Sequence, residues 1–569
     1  MKTIWGENID VNNVLPEYPR PQMARESYIN LNGIWEYAIT DTEDLPESFD
    51  GEIVVPFSPE SELSGVKRFL EPAQTLWYRR SLTLPRDFNV GRILLHFGAV
   101  DQIATVYVNG REVCSHVGGY TPFSADITEC STDGEIEIVV KVRDHSDTSY
   151  HSRGKQKIRR GGIWYTPQSG IWQTVWLESV PEQYIKGLRI TPLYDESEVE
   201  LLVMSDSDLQ CKAICCESEI LFKANEPARL HIDPFVPWTP ENPHLYDLAV
   251  EMGKDRVKSY FGMRKFSVEL DEHGVKRLFL NNRPYFHNGL LDQGYYCDGL
   301  YTPPSDEAMI FDIRTAKDLG FNMLRKHIKI EPLRWYYHCD RLGMLVWQDM
   351  VNGGGNYGFL TATTPLVTGI HFKDSRYKLF GREDPEGREQ YFRELDEMIN
   401  HLYNAVSIAM WVPFNEGWGQ FDAEEAADRI RRLDTTRTID HASGWHDQYI
   451  GDIKSLHVYF SKYRFREDRL GRAVVLSEFG GYNHRVEGHC FNDKDYGYRR
   501  FASREELLAA LRDLYLGEII PAKGKGLSAA VYTQLTDVED ELNGFITYDR
   551  KVVKIHPDEI KDLMEMLLD

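Results

Sequence analysis

Two β-sandwiches followed by a (β/α)8 barrel is the architecture this sequence predicts, and three observations predict it. At 569 residues the chain is too long for one hydrophobic core, which suggests roughly three domains. Up to about Val268 it carries short runs of period-two alternation, separated by Gly and Pro. Beyond that point short apolar runs alternate with amphipathic helical stretches instead. The boundaries implied are 1–181, 182–267 and 268–569.

The first region reads as strands. Arg92–Phe97 is followed by Ile103–Val108, where Ala104, Val106 and Val108 share one face. Asn109-Gly110 then supplies a hairpin turn, because both residues tolerate positive φ. Ile136–Val142 and Trp172–Leu177 continue the pattern. The second region offers Gly187–Thr191, Val199–Val203, Ala213–Ser218, Ala228–Ile232 and His244–Glu251, which suits an immunoglobulin-like sandwich without the Cys…Trp…Cys core of antibody domains. In the third, the apolar runs are Tyr285–Asn288, Asn322–Arg325, Met344–Trp347, Ser407–Phe414, Thr438–His441, Ser455–Tyr459, Val474–Phe479 and Leu527–Thr533. Helical stretches lie between several of them, clearest at Asp306–Leu319, Arg388–Tyr403, Ala423–Leu433 and Arg504–Leu516. Eight such units make a barrel whose chemistry sits at the strand C-terminal ends.

Composition narrows the function. A net charge of −24 counts against a nucleic-acid partner and against docking on anionic membranes, since both need clustered Lys and Arg. The 12% aromatic content is compatible with a carbohydrate partner, although core packing explains most such residues. The N-terminal stretch turns polar too soon for a signal peptide, and no apolar run reaches membrane-spanning length. The eight cysteines show no CxxC or Cys/His ligand spacing. A cytoplasmic protein with free thiols, no metal and no cofactor is the resulting expectation.

Two of the apolar runs end in glutamate. One is Met410-Trp411-Val412-Pro413-Phe414-Asn415-Glu416-Gly417, by count strand four; the other is Val474-Val475-Leu476-Ser477-Glu478-Phe479-Gly480-Gly481, strand seven. A carboxylate there is expensive to desolvate unless it is hydrogen bonded or functional. Glycoside cleavage needs two, one to protonate the leaving oxygen and one to attack the anomeric carbon. One such Glu reads equally well as a helix cap or an Arg partner; two on the proper strands favour chemistry.

The chain resembles glycoside hydrolase family 2 over nearly its whole length. The resemblance rests on Leu31-Asn32-Gly33-Ile34-Trp35, Trp77-Tyr78-Arg79-Arg80, Val106-Tyr107-Val108-Asn109-Gly110, Gly118-Gly119-Tyr120-Thr121-Pro122-Phe123 and Gly170-Ile171-Trp172-Gln173 in the first region. Trp238-Thr239-Pro240-Glu241-Asn242-Pro243-His244-Leu245-Tyr246 and Phe261-Gly262-Met263-Arg264 carry it through the second, and Phe-Asn-Glu-Gly and Ser-Glu-Phe-Gly-Gly through the third. It implies a jelly-roll, sugar-binding-like first domain, an immunoglobulin-like domain and a catalytic barrel acting by retaining double displacement. It maps the acid/base onto Glu416 and the nucleophile onto Glu478. Asn415 matches a residue that hydrogen-bonds the sugar 2-hydroxyl, and Tyr459 one that orients the nucleophile. His327 is similar to a histidine lining the glycone pocket. His457 reads as a sugar contact or a packed histidine, Asp349 as a hydroxyl ligand or a cap, and Trp445 as a stacking platform or packing. The sandwich domains either bind sugar or buttress the barrel, with buttressing favoured because such domains carry contacts in the family's oligomers; a homo-oligomer is expected, whose state no sequence feature fixes.

The sequence also departs from that family. β-Glucuronidases carry Asn-x-Lys after strand eight, where this chain aligns Glu541-Leu542-Asn543, and Glu541 would repel a uronate. Lys326 and Lys329 remain as alternative cations. Strand eight, Val531-Tyr532-Thr533-Gln534, lacks the tryptophan common beneath the glycone. The stretch Val351–Gly387, with Gly353-Gly354-Gly355 and Thr361–Thr364, is long for a βα loop and is expected to wall the pocket, as is Tyr482–Phe501. Walls of this kind predict exo action on a terminal sugar. A β-galactoside is the leading substrate, followed by a β-glucuronide or β-galacturonide and then by an arabinoside or galactofuranoside. A non-catalytic carbohydrate-binding protein and a transglycosylase are the readings from other classes.

Overall fold

The computed structural model describes every residue except 132–133, 359–360, 362–363, 366–367 and 569. In the first region six antiparallel strands, in the order Gly51–Val55, Gly33–Thr40, Thr75–Thr83, Glu135–Arg143, Ile103–Val108 and Arg111–Val117, form one sheet. Tyr28–Asn30, Val175–Val180, Arg92–Phe97 and Phe123–Asp126 form the other. Alternate residues of both meet in a core that includes Trp35, Tyr78, Leu95, Val106 and Val140. The Asn109-Gly110 turn has φ of 48° and 77°, as the residue types require. Trp172 precedes its expected strand: it lies buried in the cluster shared with the barrel, and the long strand starts at Val175.

The second sandwich packs Gly187–Leu193, Glu198–Met204 and Ala228–His231 against Ser218–Lys223, Gln210–Cys215, Tyr246–Met252 and Asp255–Phe261. The expected strand Ala213–Ser218 is two strands joined by a turn. Cys216 sits there at φ 54°, and Cys215 faces Ser218 across the hairpin. Apolar runs on both sides of so short a turn hide it from a periodicity reading.

The third region is a parallel barrel. Its strands are β1 (His287–Asp292), β2 (Met323–Lys326), β3 (Leu345–Asp349), β4 (Ile408–Val412), β5 (Thr438–Ile439), β6 (Ile453–Val458), β7 (Ala473–Gly480) and β8 (Leu527–Thr533). Hydrogen bonds link them in the order β5-β4-β3-β2-β1-β8-β7-β6, which closes the ring except between β5 and β6. Helices α1 (Asp306–Asp318), α2 (Leu333–Leu342), α3 (Pro385–Leu402), α4 (Ala423–Leu433) and α5 (Arg504–Leu514) pack outside. Ser305, Asp384 and Ser503 cap three of them through backbone N–H groups at Ala308, Gly387 and Glu506. β1 starts two residues later than its sequence run: Tyr285 leaves the last strand of a small sheet (Phe266–Leu270, Lys276–Leu280, Arg283–Pro284) beneath the barrel, with its N–H bonded to the Leu278 carbonyl. There Trp238, Phe266 and Leu278 pack against Met323, Leu345 and Trp347, so the lower end of the barrel is sealed by apolar side chains. The mouth is the open end.

Candidate active site

Each glutamate sits where the backbone leaves its strand. β4 stops at Pro413, which has no N–H to donate to the ladder. Asn415 then bridges to Ser443, and Glu416 takes a left-handed backbone at φ 51° with its N–H bonded to the Ser443 carbonyl. A non-glycine residue in that region is held by its surroundings at some cost in strain. Gly417 follows because a Cβ there would lie 2.5 Å from the His446 ring. Glu478 lies in β7, every residue of which is buried. Gly480 ends that strand at φ 84°, with the Tyr532 ring 2.2 Å from where a Cβ would be.

The two carboxylates converge. Oxygens of Glu416 and Glu478 and a ring nitrogen of His457 all lie within 4.8 Å of one another. His457 Nδ1 is 2.9 Å from Glu416 Oε1 and 3.5 Å from Glu478 Oε2, and its Nε2 is 3.1 Å from Ser443 Oγ. His457 is thus packed between the pair. Burial and the neighbouring Glu478 charge push the Glu416 carboxyl above the ordinary range. Burial also acts on Glu478, but His457 and Arg325 outweigh it and hold that carboxyl below the ordinary range. The acidities of the two carboxyls are thus pushed apart, Glu416 up and Glu478 down.

Arg325, which the sequence reading passed over, organises the floor of the site. Fully buried, it donates through Nε and Nη2 to both oxygens of Asp349 at 3.0 Å, through Nη1 to Glu478 Oε1 at 3.2 Å and through Nη2 to Asn415 Oδ1 at 2.7 Å. Its signal in the sequence was a charged residue near the C-terminal end of a barrel strand. Asn415, with its oxygen taken, keeps a buried Nδ2 that has no partner among the described residues. Asp349 also accepts from His327 Nδ1 at 2.8 Å, so both its oxygens are engaged within the protein. Asp349 thus anchors both Arg325 and His327. Burial, then the charge of Lys155, drives His327 well down, so its imidazole is neutral. The Tyr459 hydroxyl donates to Glu478 Oε2 and lies 2.9 Å from Thr533 Oγ1, while its ring stacks on Tyr498 at 3.9 Å. Trp445 is half-buried with its ring 6.4 Å from His457.

Lys326 and Lys329 do not face the mouth. Lys326 Nζ binds Asp292 at 2.7 Å and Glu331 at 2.8 Å, over the Trp335 ring of α2. Lys329 Nζ binds Glu331 and the Gly294 and Tyr301 carbonyls. Side chains alternate across a strand, so the residue after Arg325 points outward to the helices.

The walls come from two regions. Part of the loop after β3, including Ala362 and Thr363 of the expected lid, lies outside the described residues. Its earlier part, at Asn352–Gly354, pairs with residues 150–154 of the first sandwich, through Arg153 N to Asn352 O at 2.9 Å and Gly354 N to Tyr150 O at 2.9 Å. Trp164 packs on Trp418 at 5.2 Å and on Tyr357 at 6.0 Å. Glu541 is buried at the mouth, accepting from the Tyr165 hydroxyl and, at 3.4 Å, from Asn543. Among the described residues only Glu416, His457 and Glu478 converge as metal-ligand types, and a cation held there would occupy both carboxylates.

Two sandwiches ahead of a barrel whose mouth pairs a raised with a depressed glutamate define a carbohydrate-active hydrolase scaffold. Three family models match in order: the sugar binding domain of glycosyl hydrolases family 2 over residues 67–181, a second domain of that family over 184–264 and its TIM barrel domain over 278–474. The chain belongs to glycoside hydrolase family 2. The barrel match includes Glu416 and stops four residues short of Glu478. A Formosa agariphila protein provisionally assigned as a beta-glucuronidase is 27% identical over 458 residues, 72% of this chain and 50% of that protein. The beta-galactosidase of Thermoanaerobacter pseudethanolicus is 23% identical, over 78% of this chain and 58% of its own length. The chain thus spans about half the length of these curated relatives. Among solved structures, Ruminococcus gnavus beta-glucuronidase superposes with a TM-score of 0.76 at 17% identity, covering 97% of this chain and 99% of that one. A beta-galacturonidase from Eisenbergiella tayi, bound to galacturonate, gives 0.71 at 19%, covering 96% and 99%. At such identities the likeness is one of fold. No helix among the described residues is long and apolar enough to cross a membrane.

Proposed function

We propose that this chain is a retaining exo-β-glycosidase that cleaves terminal neutral sugars, β-galactosides first, by double displacement. The observation that carries the reading is the pair of glutamate carboxylates within 4.8 Å, one raised and one depressed in pKa. That approach is nearer the ~5–5.5 Å of a retaining pair than the ~6.5–9.5 Å of an inverting one, which supports direct attack. Glu478 attacks the anomeric carbon while Glu416 gives its proton to the leaving oxygen. The bond to the leaving oxygen breaks as the glycosyl–Glu478 ester forms; Glu416, now ionised, then takes a proton from water as that water attacks the same carbon, and the ester bond breaks to free the sugar and restore the Glu478 carboxylate. Arg325 and Tyr459 keep Glu478 ionised and aimed, and the free Nδ2 of Asn415 is placed to donate to the 2-hydroxyl as charge develops. Walls built from the first sandwich support action at a chain end.

Glu541 at the mouth favours a neutral glycone, since it would oppose a uronate. The names of the relatives favour the second reading, a β-glucuronide or β-galacturonide. A panel of para-nitrophenyl glycosides separates them. Turnover of a neutral β-glycoside, retained configuration in the first-formed product, and labelling of Glu478 by a 2-deoxy-2-fluoroglycosyl fluoride are the expected results. Turnover of uronides alone would replace the galactoside reading. Products lengthened by an added acceptor sugar, at the expense of hydrolysis, would identify a transglycosylase. Binding without turnover of any sugar would identify a carbohydrate-binding protein.

A further inference from the structure

We infer that Lys155, carried into the barrel mouth by the first sandwich, is a glycone-specificity residue that works with Glu541 to read a sugar hydroxyl beyond C2. The inference rests on the neutral-glycosidase reading above.

Lys155 is 6% exposed, yet its ammonium makes no hydrogen bond or ion pair among the described residues. An ammonium at the edge of a mouth, hydrated but without a protein acceptor, can exchange its water for an acceptor on a ligand. The position is built. Ser152 pairs with Gly353 of the barrel, and the N–H groups of Arg153 and Gly154 both bond to Asn352 O, at 2.9 and 3.2 Å. Gly154 turns the chain at φ 66°, where a Cβ would lie 2.5 Å from the Tyr301 hydroxyl. The Lys155 carbonyl accepts from Tyr165 N at 2.9 Å, which ties the two arms of the loop together. The ammonium then lies 5.5 Å from the ring centres of both Tyr165 and Trp418, the latter two residues after Glu416. The contact with Trp418 places it beside the Glu416 turn, at the mouth.

Tyr165 also ties Lys155 to Glu541. Its hydroxyl donates to Glu541 Oε2, while among the described residues Glu541 Oε1 has only the long 3.4 Å contact from Asn543. An ammonium offering donors and a carboxylate with an acceptor position open flank one aromatic ring. A sugar hydroxyl satisfies both, accepting from Lys155 and donating to Glu541. A uronate would satisfy Lys155 but bring a further carboxylate beside Glu416, Glu478 and Glu541. The 2-hydroxyl falls to Asn415, which leaves the 3-, 4- and 6-positions.

The test is a substrate–mutant cycle. Lys155→Met and Glu541→Gln are assayed on a β-galactoside and on its 3-, 4- and 6-deoxy analogues, with thermal melting as a check on folding. On the parent, kcat/KM is expected to fall about 10- to 100-fold, the range for a hydrogen bond to a charged group. On the one analogue lacking the contacted hydroxyl, the same substitutions should cost less than about threefold. An equal loss on every analogue, or no loss on the parent, overturns the inference. So does a uronide cleaved faster than the parent in a Lys155-dependent manner. Labelling of Glu478 keeps the two readings apart. A labelled enzyme with a flat cycle rejects Lys155 alone, whereas an unlabelled one rejects the glycosidase reading with it.

Discussion

Arg325 and Lys326 are neighbours on β2, both fully buried cations, and they belong to opposite kinds of network. Lys326 points outward into a closed set with Asp292, Glu331 and Lys329. Burial pulls Lys329 down to about 8 even with Glu331 beside it. Arg325 points inward and leaves valences open: the Asn415 Nδ2 it orients has no partner among the described residues, and Glu478 faces the mouth. The difference separates a network that fixes the fold from one that awaits a ligand. Charge and burial alone do not distinguish them; completeness of the hydrogen bonding does.

The sharpest break in this comparison is expected at the open network. Glu478→Ala should lower kcat by ~10³-fold or more on the best glycoside, with folding intact by circular dichroism. On an activated substrate azide should partly rescue both glutamate variants, giving an α-azide from Glu478→Ala and a β-azide from Glu416→Ala. Arg325→Met is expected to cost about 10²-fold in kcat, because Glu478 loses an ionising partner and Asn415 its orientation. At the closed network the signs reverse. Lys326→Met should remove about 3–5 kcal/mol of stability by stranding the Asp292 carboxylate, read by denaturant melts. The folded fraction should keep kcat/KM within about threefold of the parent. A variant at Lys326 that kept its stability but lost activity would erase the distinction.

Smaller effects sharpen the pairing of the glutamates. Tyr459→Phe removes a hydroxyl that helps hold Glu478 low, so the acid limb of kcat/KM should move to higher pH, with about tenfold loss in rate. The alkaline limb belongs to Glu416, whose carboxyl must keep its proton, and it should lie above the ordinary carboxylate range. In Glu478→Gln the neighbouring negative charge is gone, so Glu416 should titrate at lower pH, measured by carbon-13 NMR of its carboxyl. An unchanged value would assign the whole elevation to burial.

The architecture and the two glutamates were legible in the order of residues alone. Strand periodicity, the Asn109-Gly110 turn and the eight apolar runs are local properties, and each fixes backbone geometry within a few residues. Glu416 and Glu478 were legible because a carboxylate ending an apolar strand breaks the pattern around it. Contacts between distant residues settled the rest. The turn inside Ala213–Ser218 and the start of β1 depended on partners across a sheet. Arg325, one residue from a lysine of the same charge, was separated from it only by the face of β2 on which each lies. Asp349 was legible as a strand-end carboxylate but took its role from Arg325 and His327. Lys155 sits over a hundred residues before the barrel and enters the mouth only because two domains pack together. Local pattern encodes the period and the breaks in it; long-range packing settles which buried charges are satisfied and which stay open to a ligand.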